Sequence, residues 1–193
     1  MELNGLNTEF LGRNFLFFKT IDSTQTKLKS LKPIINGTTV CTDNQTEGLG
    51  THDRKWYTGI GKNIAFSFVL TPDCNIENIK NITVIIAEVL INVLKKLYNI
   101  QLEIKEPNDI YYKGKKVAGI LTETVCKGEK VRAIYVGIGI NVNQEVFPGN
   151  LNEIATSLKR EFDMEFDRER IIVEFLNWFE DEYKGMIGKE CDI

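Results

Sequence analysis

The chain has 193 residues, of which 42% are hydrophobic and 26% charged, and these values are ordinary for one soluble globular domain. Its net charge of −3 gives no overall attraction to nucleic acid or anionic membranes, so any nucleotide chemistry must depend on local basic residues. The four cysteines form no C-x-x-C pair and there is one histidine, which argues against a structural zinc site. A polar start and the lack of an apolar run of about 18 residues predict a cytoplasmic protein without signal peptide or membrane anchor.

Short strands and helices alternate in the first half of the chain. The predicted elements are a strand at 15–19, a helix from about Ser23 to residue 31, strands at 38–42 and 63–70, and an amphipathic helix at 77–98. Asp22, Ser23 and Thr24 all offer N-caps for the first helix. The polar, glycine-rich stretch 43–62 is longer than most loops, which is typical of a functional segment.

Consecutive hairpins dominate the second half. Strands are predicted at 101–105, 110–112, 116–124 and 131–142, turns at Lys113-Gly114 and Lys127-Gly128, and helices at 155–160 and 167–183. The last helix has an apolar face formed by Ile171, Ile172, Phe175, Phe179 and Tyr183. This order of elements predicts an α+β fold with a mixed, mostly antiparallel sheet backed by helices.

The loop at 45–63 is the first segment that could carry chemistry. Its glycines allow backbone N–H groups to approach an anionic ligand, and Arg54 adds a planar fork that fits phosphate or carboxylate. The alternative is a solvated surface loop. Trp56 favours a binding role, because a large aromatic side chain within a polar loop usually packs on something.

The second segment runs from 105 to 124. Asp109 lies where one strand ends and the next begins, so it could hold Mg²⁺ at nucleotide phosphates or simply cap its own turn. Lys116 opens the following strand, where it could serve a ligand or protect a sheet edge from aggregation. Gly119 in mid-strand indicates that a ligand or another backbone comes close.

The third segment, residues 136–143, carries Gly137 and Gly139 in an apolar strand. Alternate glycines clear one face of a strand, which would let a flat ligand lie on the backbone, although a strand bulge is the other interpretation. No helix is predicted directly after them, so they are not a dinucleotide-binding fingerprint.

Together and in this order, these segments resemble the catalytic domain of biotin–protein ligases, from Ile21 to about Tyr183. The matching blocks are K-x-P-N-D at 105–109, the lysine and G-I-L-x-E strand at 115–123, the glycine loop G-x-G-x-x-x-R-x-W at 48–56, G-x-G-I-N-V-N at 137–143, and a short tag at 155–158. The resemblance implies the fold shared by biotin ligases and class II aminoacyl-tRNA synthetases.

The resemblance also implies roles for individual residues. Lys116 would meet the biotin carboxylate and the ATP α-phosphate, Arg54 would grip ATP phosphates, and Asp109 would bind Mg²⁺ as the third catalytic residue. The residues implied for biotin are Ser23, Thr24, Gln45, Gly48, Lys116, Gly119, Gly137 and Gly139. Those implied for the nucleotide are Gly50, Arg54, Lys55, Trp56, Asn108 and Asn141.

The implied reaction is ATP-dependent activation of biotin to biotinyl-5′-AMP, followed by transfer to one lysine of a biotin carboxyl carrier protein or domain. The carrier would belong to acetyl-CoA or pyruvate carboxylase. We expect one catalytic domain over residues 1–193, without an N-terminal helix-turn-helix domain or a C-terminal small β domain. Neither DNA nor a membrane is an expected partner, and a homodimer stays open.

Three positions depart from the family pattern. Leu49 and Thr51 stand where the family usually has basic residues, and Glu106 replaces the usual tryptophan. These departures leave two alternatives open, a lipoate–protein ligase of related fold and a degenerate relative that binds biotin or nucleotide without turnover. The K-x-P-N-D block favours biotin.

Overall fold

The computed structural model describes residues 1–52, 54–105 and 107–187, so Asp53, Glu106 and Cys191 lie outside the described residues. In chain order the elements are β1 (Phe15–Phe18), α1 (Thr24–Ser30), β2 (Thr39–Thr42), β3 (Ile64–Leu70), a 3₁₀ helix (Ile76–Ile79), α2 (Ile82–Tyr98), β4 (Glu103–Lys105), β5 (Asp109–Tyr112), β6 (Lys115–Lys127), β7 (Lys130–Ile140), α3 (Leu151–Ile154), α4 (Leu158–Phe162) and α5 (Arg168–Ile187). Within these described ranges, no helix combines the length and apolarity that crossing a bilayer requires.

The strands form one sheet in the order β1-β2-β3-β7-β6-β5-β4. β1 pairs with β2 in parallel, and every other neighbouring pair is antiparallel. The predicted α+β class with a mixed, mostly antiparallel sheet is therefore confirmed. The long hairpin of β6 and β7 forms the middle of this sheet, and the family-like glycines lie on it.

One face of the sheet packs against α2 and α5. Phe66 and Phe68 of β3 point to this side, where the Phe66 and Phe175 rings lie 5.7 Å apart and those of Phe68 and Phe179 lie 5.4 Å apart. All four rings are almost fully buried, so truncating one to alanine should cost about 3–5 kcal/mol. Because side chains alternate along a strand, Ser67 points to the opposite face, which α1 only partly covers.

The helix predicted at 77–98 begins later than expected. α2 starts at Ile82, and residues 76–79 form a separate 3₁₀ turn. The side chain of Asn78 accepts a hydrogen bond from the backbone N–H of Asn75, and the N–H of Ile76 donates to Glu129 in the β6–β7 turn. These bonds offer the backbone an alternative to the helix, so the apolar spacing continues through the turn while the α-helix does not.

Two other predictions are wrong in position. The β6–β7 turn is formed by Gly128 and Glu129, with Gly128 at a φ of +64°, one residue later than predicted. The helix predicted at 155–160 starts at Leu158, because Ser157 is its N-cap and its Oγ accepts from the N–H of Arg160. Residues 155–157 are extended instead, and the N–H of Thr156 donates to the carbonyl of Lys116 at 2.9 Å.

The first residues of the chain are fastened to α5. The carboxylate of Glu180, which is 2% exposed, accepts backbone hydrogen bonds from Glu9, Phe10 and Leu11 at 2.5–3.1 Å. Lys184 adds an ion pair at 3.0 Å. Burial raises the pKa of Glu180, but these donors outweigh burial and hold the net pKa below its ordinary value. These contacts of Glu180 order residues 9–11, which lead into β1.

Candidate functional site

Glycines form a smooth floor on the sheet face opposite α2 and α5. Gly119 of β6 pairs with Gly139 of β7, and Gly139 also pairs with Ala65 of β3. One step along, Gly137 pairs with both Leu121 and Ser67. Paired residues share a face of the sheet, so around the three glycines this face carries only small side chains apart from Leu121. This floor is the cleared face that the alternate glycines predict.

A β-bulge sets the position of Lys116. Ile110 pairs with Ala118 and Tyr111 pairs with Lys116, so Val117 is an additional residue in β6. In a regular strand, Lys116 and Gly119 would point to opposite faces, because they are three residues apart. The extra residue brings both to the floor, as bulges commonly re-aim side chains beside functional sites.

Both the side chain and the backbone of Lys116 are held by neighbouring residues. Its Nζ lies 2.6 Å from Oδ1 of Asp109, and the two side chains are only 24% and 14% exposed. Its backbone carbonyl accepts a hydrogen bond from the N–H of Thr156, and Lys116 forms an isolated parallel β-bridge with Ala155. Lys115 points elsewhere, with its Nζ 3.5 Å from the carbonyl of Asn152. Lys116 is therefore a partly buried, preorganised cation that lines both cavities, whereas Lys115 is directed toward Asn152.

The indole of Trp56 lies on the glycine floor. A Cβ atom added at Gly139 would overlap the indole, and one added at Gly119 would lie 3.1 Å from both the Trp56 ring and the Lys116 Nζ. The Lys116 Nζ is 5.6 Å from the centre of the indole. The Trp56 Nε1 is buried and has no hydrogen-bond partner among the described residues. Trp56 thus packs as its loop position predicts, and it covers the place expected for a ligand.

Two cavities meet at Lys116. The deep cavity, about 40 Å³, reaches along the floor to α1 and is lined by Thr24, Gln25, Gln45 and Gly137. The outer cavity, about 200 Å³, is lined by Arg54, Asp109 and aromatic side chains of Tyr111 and Phe147. Gly50, Thr51, Trp56 and Lys116 line both cavities. A molecule that extends from one cavity to the other would therefore lie against these four residues, of which Lys116 is the cation.

The inner end of the deep cavity is polar. The backbone N–H and the Oγ1 of Thr24 lie 2.8 and 3.0 Å from Oε1 of Gln45, and the Oγ1 lies 2.8 Å from Oγ of Ser67. Gln45 donates in turn to Thr58. Ser23, which is 1% exposed, lines the cavity and also caps α1 through its Oγ. This cluster can both donate to and accept from a small polar ring.

The glycine loop folds back on itself. The N–H of Gly50 donates to the carbonyl of Arg54, and the N–H of Trp56 donates to that of Gly48. The guanidinium of Arg54 bonds to the carbonyl and hydroxyl of Thr51 at 3.1 and 2.8 Å. Arg54 and Lys55 are both exposed. The loop therefore presents two cations at the mouth of the outer cavity.

Comparison with known proteins agrees with this geometry. Residues 17–141 match the biotin/lipoate A/B protein ligase family. The chain belongs to this family. The bifunctional ligase/repressor BirA of Bacillus subtilis is 36% identical over 93% of this chain and 57% of its own length. The biotin–[acetyl-CoA-carboxylase] ligase of Paracoccus denitrificans is 35% identical over 63% of this chain and 51% of its own length. The chain thus spans about half the length of these curated relatives.

The fold comparison points to the same family. The structure of the biotin protein ligase from Aquifex aeolicus in complex with biotin and ATP has a TM-score of 0.76 with this chain. The two are 30% identical, and the match covers 92% of this chain and 73% of that one. The α+β architecture is therefore that of biotin protein ligases.

Most residues that the biotin–protein ligase resemblance implies line the two cavities. Those at the deep cavity are Ser23, Thr24, Gln45, Gly50, Trp56, Asn108, Lys116, Gly119, Gly137 and Gly139, and those at the outer cavity are Gly50, Arg54, Lys55, Trp56, Asp109, Lys116 and Asn141. Asn108 donates to the carbonyl of Ile120, and Asn141 lies 3.5 Å from that of Lys116. Gly48 lines neither cavity and supports the loop instead, since a Cβ there would overlap the backbone oxygen of Trp56.

Two residues of the site, Gln25 and Ser67, lie outside the motifs that the sequence offers. Both are buried side chains on the deep cavity. Ser67 carries a usable signal, because it is a lone hydroxyl in the otherwise apolar, fully buried β3. Gln25 carries none beyond its position after Thr24 in the first turn of α1.

Proposed function

We propose that this protein activates biotin with ATP and then transfers the biotinyl group to a lysine of a carrier domain. The observation that supports this most directly is the position of Lys116, a partly buried cation on the boundary shared by the deep and outer cavities. Biotin would occupy the deep cavity with its carboxylate toward Lys116. ATP would occupy the outer cavity.

In the first step, a carboxylate oxygen of biotin attacks the α-phosphorus, and pyrophosphate leaves. Two anions must approach each other, so a fixed positive charge at their meeting point lowers the barrier. The Nζ of Lys116 supplies that charge, and the ion pair with Asp109 holds it in place at 2.6 Å. The product is biotinyl-5′-AMP, a mixed anhydride that the loop around Trp56 can shield from water.

The nucleotide would lie against the outer cavity. Tyr111 and Phe147 offer aromatic surface for a base, and Arg54 and Lys55 offer cations for phosphates. Among the described residues no cluster of three metal-ligating side chains occurs, so Asp109 would hold Mg²⁺ together with nucleotide phosphates. A single, partly buried carboxylate fits that mode of binding. When bound, Mg²⁺ would neutralise phosphate charge there.

The polar end of the deep cavity favours biotin over lipoate. The biotin head is a cyclic urea with two N–H donors and a carbonyl acceptor, whereas the lipoate head is an apolar dithiolane. Thr24, Gln45 and Ser67 form a connected group of donors and acceptors at that end. A dithiolane would leave the remaining donor and acceptor capacity of these groups desolvated without a partner.

In the second step, the amine of a carrier lysine attacks the acyl carbon and AMP leaves. We propose a biotin carboxyl carrier domain of acetyl-CoA or pyruvate carboxylase as the acceptor, with the cytoplasm as the site of action. The net charge of −3 favours a protein that does not bind DNA operators. The single-domain arrangement stays a prediction, and the homodimer stays open.

Mass spectrometry of a biotin carrier domain tests the proposal. The domain is incubated with the protein, ATP, Mg²⁺ and either biotin or lipoate. We expect addition of one biotinyl group to one lysine, release of pyrophosphate, and no modification by lipoate. Modification by lipoate alone would instead identify a lipoate ligase, and biotin binding without modification would identify a non-catalytic relative.

A further inference from the structure

The side chain of Gln25 reaches the inner end of the deep cavity from the first turn of α1. Gln25 is 2% exposed, and its Oε1 has no hydrogen-bond partner among the described residues. A buried acceptor without a partner keeps its desolvation cost uncompensated, so such an atom calls for an explanation.

The orientation of the Gln25 amide is fixed by its neighbours. Its Nε2 lies 2.9 Å from Oε2 of Glu123 and 3.2 Å from the carbonyl of Tyr135. Burial raises the pKa of Glu123, but hydrogen bonds from Lys29 and Gln25 outweigh burial and lower the net pKa, so this carboxylate stays ionised. Both partners can only accept, so the NH₂ group must face them and Oε1 must face the cavity.

This unpaired oxygen lies above the glycine floor. A Cβ atom added at Gly137 would be 3.0 Å from Oε1 of Gln25 and 3.3 Å from Oγ of Ser67. Those two polar atoms therefore flank the bare backbone of Gly137 in the deep cavity. A ligand ring lying on Gly137 would present its edge to both.

We infer that Oε1 of Gln25 accepts a hydrogen bond from a ureido N–H of biotin and selects for acyl substrates that carry a ring N–H donor. This inference rests on the proposed function and adds a specificity contact to it. Glu123 acts through Gln25 as a positioning residue, because it holds the amide in the accepting orientation. The contact forms with the ground-state ligand, so its loss should raise KM for biotin while kcat changes little.

Replacement of Gln25 by methionine tests the contact, because methionine has a similar length but no acceptor of comparable strength. In ATP–pyrophosphate exchange, we expect Gln25→Met to raise KM for biotin about 10- to 100-fold, with KM for ATP unchanged. Thr26→Met is the matched control, since Thr26 is the exposed next residue of α1. Circular dichroism and thermal unfolding of both variants establish that α1 is intact.

Ligand analogues test the contact in the unaltered protein, where no substitution could disturb the fold. Biotin methylated at one ureido nitrogen or the other lacks one N–H donor, and binding is measured by calorimetry on the unaltered protein and on Gln25→Ala, which leaves room for the methyl group. We expect one of the two analogues to bind the unaltered protein far more weakly than biotin, and Gln25→Ala to reduce that difference, as coupled groups do in a double-mutant cycle.

The outcomes separate the inference from the proposed function. The role of Gln25 is wrong, and the ligase function stands, if the unaltered protein activates biotin and Gln25→Met has the same KM for biotin. The same conclusion follows if methylation of biotin weakens binding to the unaltered protein and to Gln25→Ala by the same factor. If the unaltered protein does not bind biotin at all, the proposed function fails and takes this inference with it.

Discussion

The side chain of Lys116 lies across Gly119, although three residues of spacing would place them on opposite faces of a regular strand. A Cβ atom at Gly119 would approach the Lys116 Nζ to 3.1 Å. The bulge at Val117 and the pairing of Ala155 with Lys116 create this arrangement. The reactive cation and the floor beneath it are therefore set by one local irregularity in β6.

Replacement of Lys116 by alanine should remove most adenylate formation. Loss of a preorganised donor at a developing charge typically costs about 10²–10³-fold in rate. Lys115→Ala is the matched control, because Lys115 points toward Asn152 and away from both cavities. ATP–pyrophosphate exchange measures both variants. If Lys115→Ala loses activity while Lys116→Ala keeps it, the assignment of the site is wrong.

The bulge also marks the limit of what the sequence predicts. The motifs place Lys116, Gly119, Gly137 and Gly139 together, but simple alternation cannot put Lys116 and Gly119 on the same face. The extra residue depends on pairing with β5 and with the extended segment 155–157, and both are tertiary contacts. Apolar spacing predicts the buried face of α5 correctly, because that face depends on periodicity alone.

Trp56 should leave the deep cavity when biotin binds. The cavity of about 40 Å³ holds only a few water molecules, whereas ligand pockets usually measure about 300–1,000 Å³. The chain has two tryptophans, so Trp178→Phe leaves Trp56 as the only indole reporter. We expect its fluorescence to shift to longer wavelength on addition of biotin alone. Trp56→Phe, which reports on Trp178, should show no shift. Biotin binding by calorimetry without any change in the Trp56 signal would contradict the displacement.

The glycine loop should become ordered when both substrates are present. Between Glu47 and Lys55 it is polar, and its two cations are exposed, so it has few apolar anchors of its own. Trypsin should cleave after Arg54 and Lys55 more slowly with biotin and ATP together. Cleavage after Lys127, in the exposed β6–β7 hairpin, is the internal control and should not change. Equal cleavage of the loop in both conditions would count against ordering.

Glu180→Gln should destabilise the fold by about 2–3 kcal/mol, because it removes a charged acceptor of three backbone hydrogen bonds. The folded-state pKa of Glu180 lies below the ordinary value of 4.5. Its stabilisation is thus fully present above about pH 4.5 and is lost as the pH falls through the folded-state pKa.

Chemical denaturation across this pH range measures the effect. The difference in unfolding free energy between the unaltered protein and Glu180→Gln should be largest near neutral pH and shrink in acid. Asp181→Asn is the control, since Asp181 is the exposed neighbour on α5 and should cost little at any pH. A difference that does not depend on pH would show that the charge of Glu180 is not what holds the first segment.

The bare floor made by Gly119, Gly137 and Gly139 has a consequence for how this cleft can be mapped. At most positions alanine substitution deletes a side chain, but at these three glycines it adds a methyl group. An alanine scan therefore tests the walls of the cleft by removal and its floor by filling. Substitutions that add atoms are informative there, because even one methyl group at Gly139 would occupy space that the indole of Trp56 takes. In this part of the site, the shape of the cleft depends on side chains that glycine lacks rather than on side chains that are present.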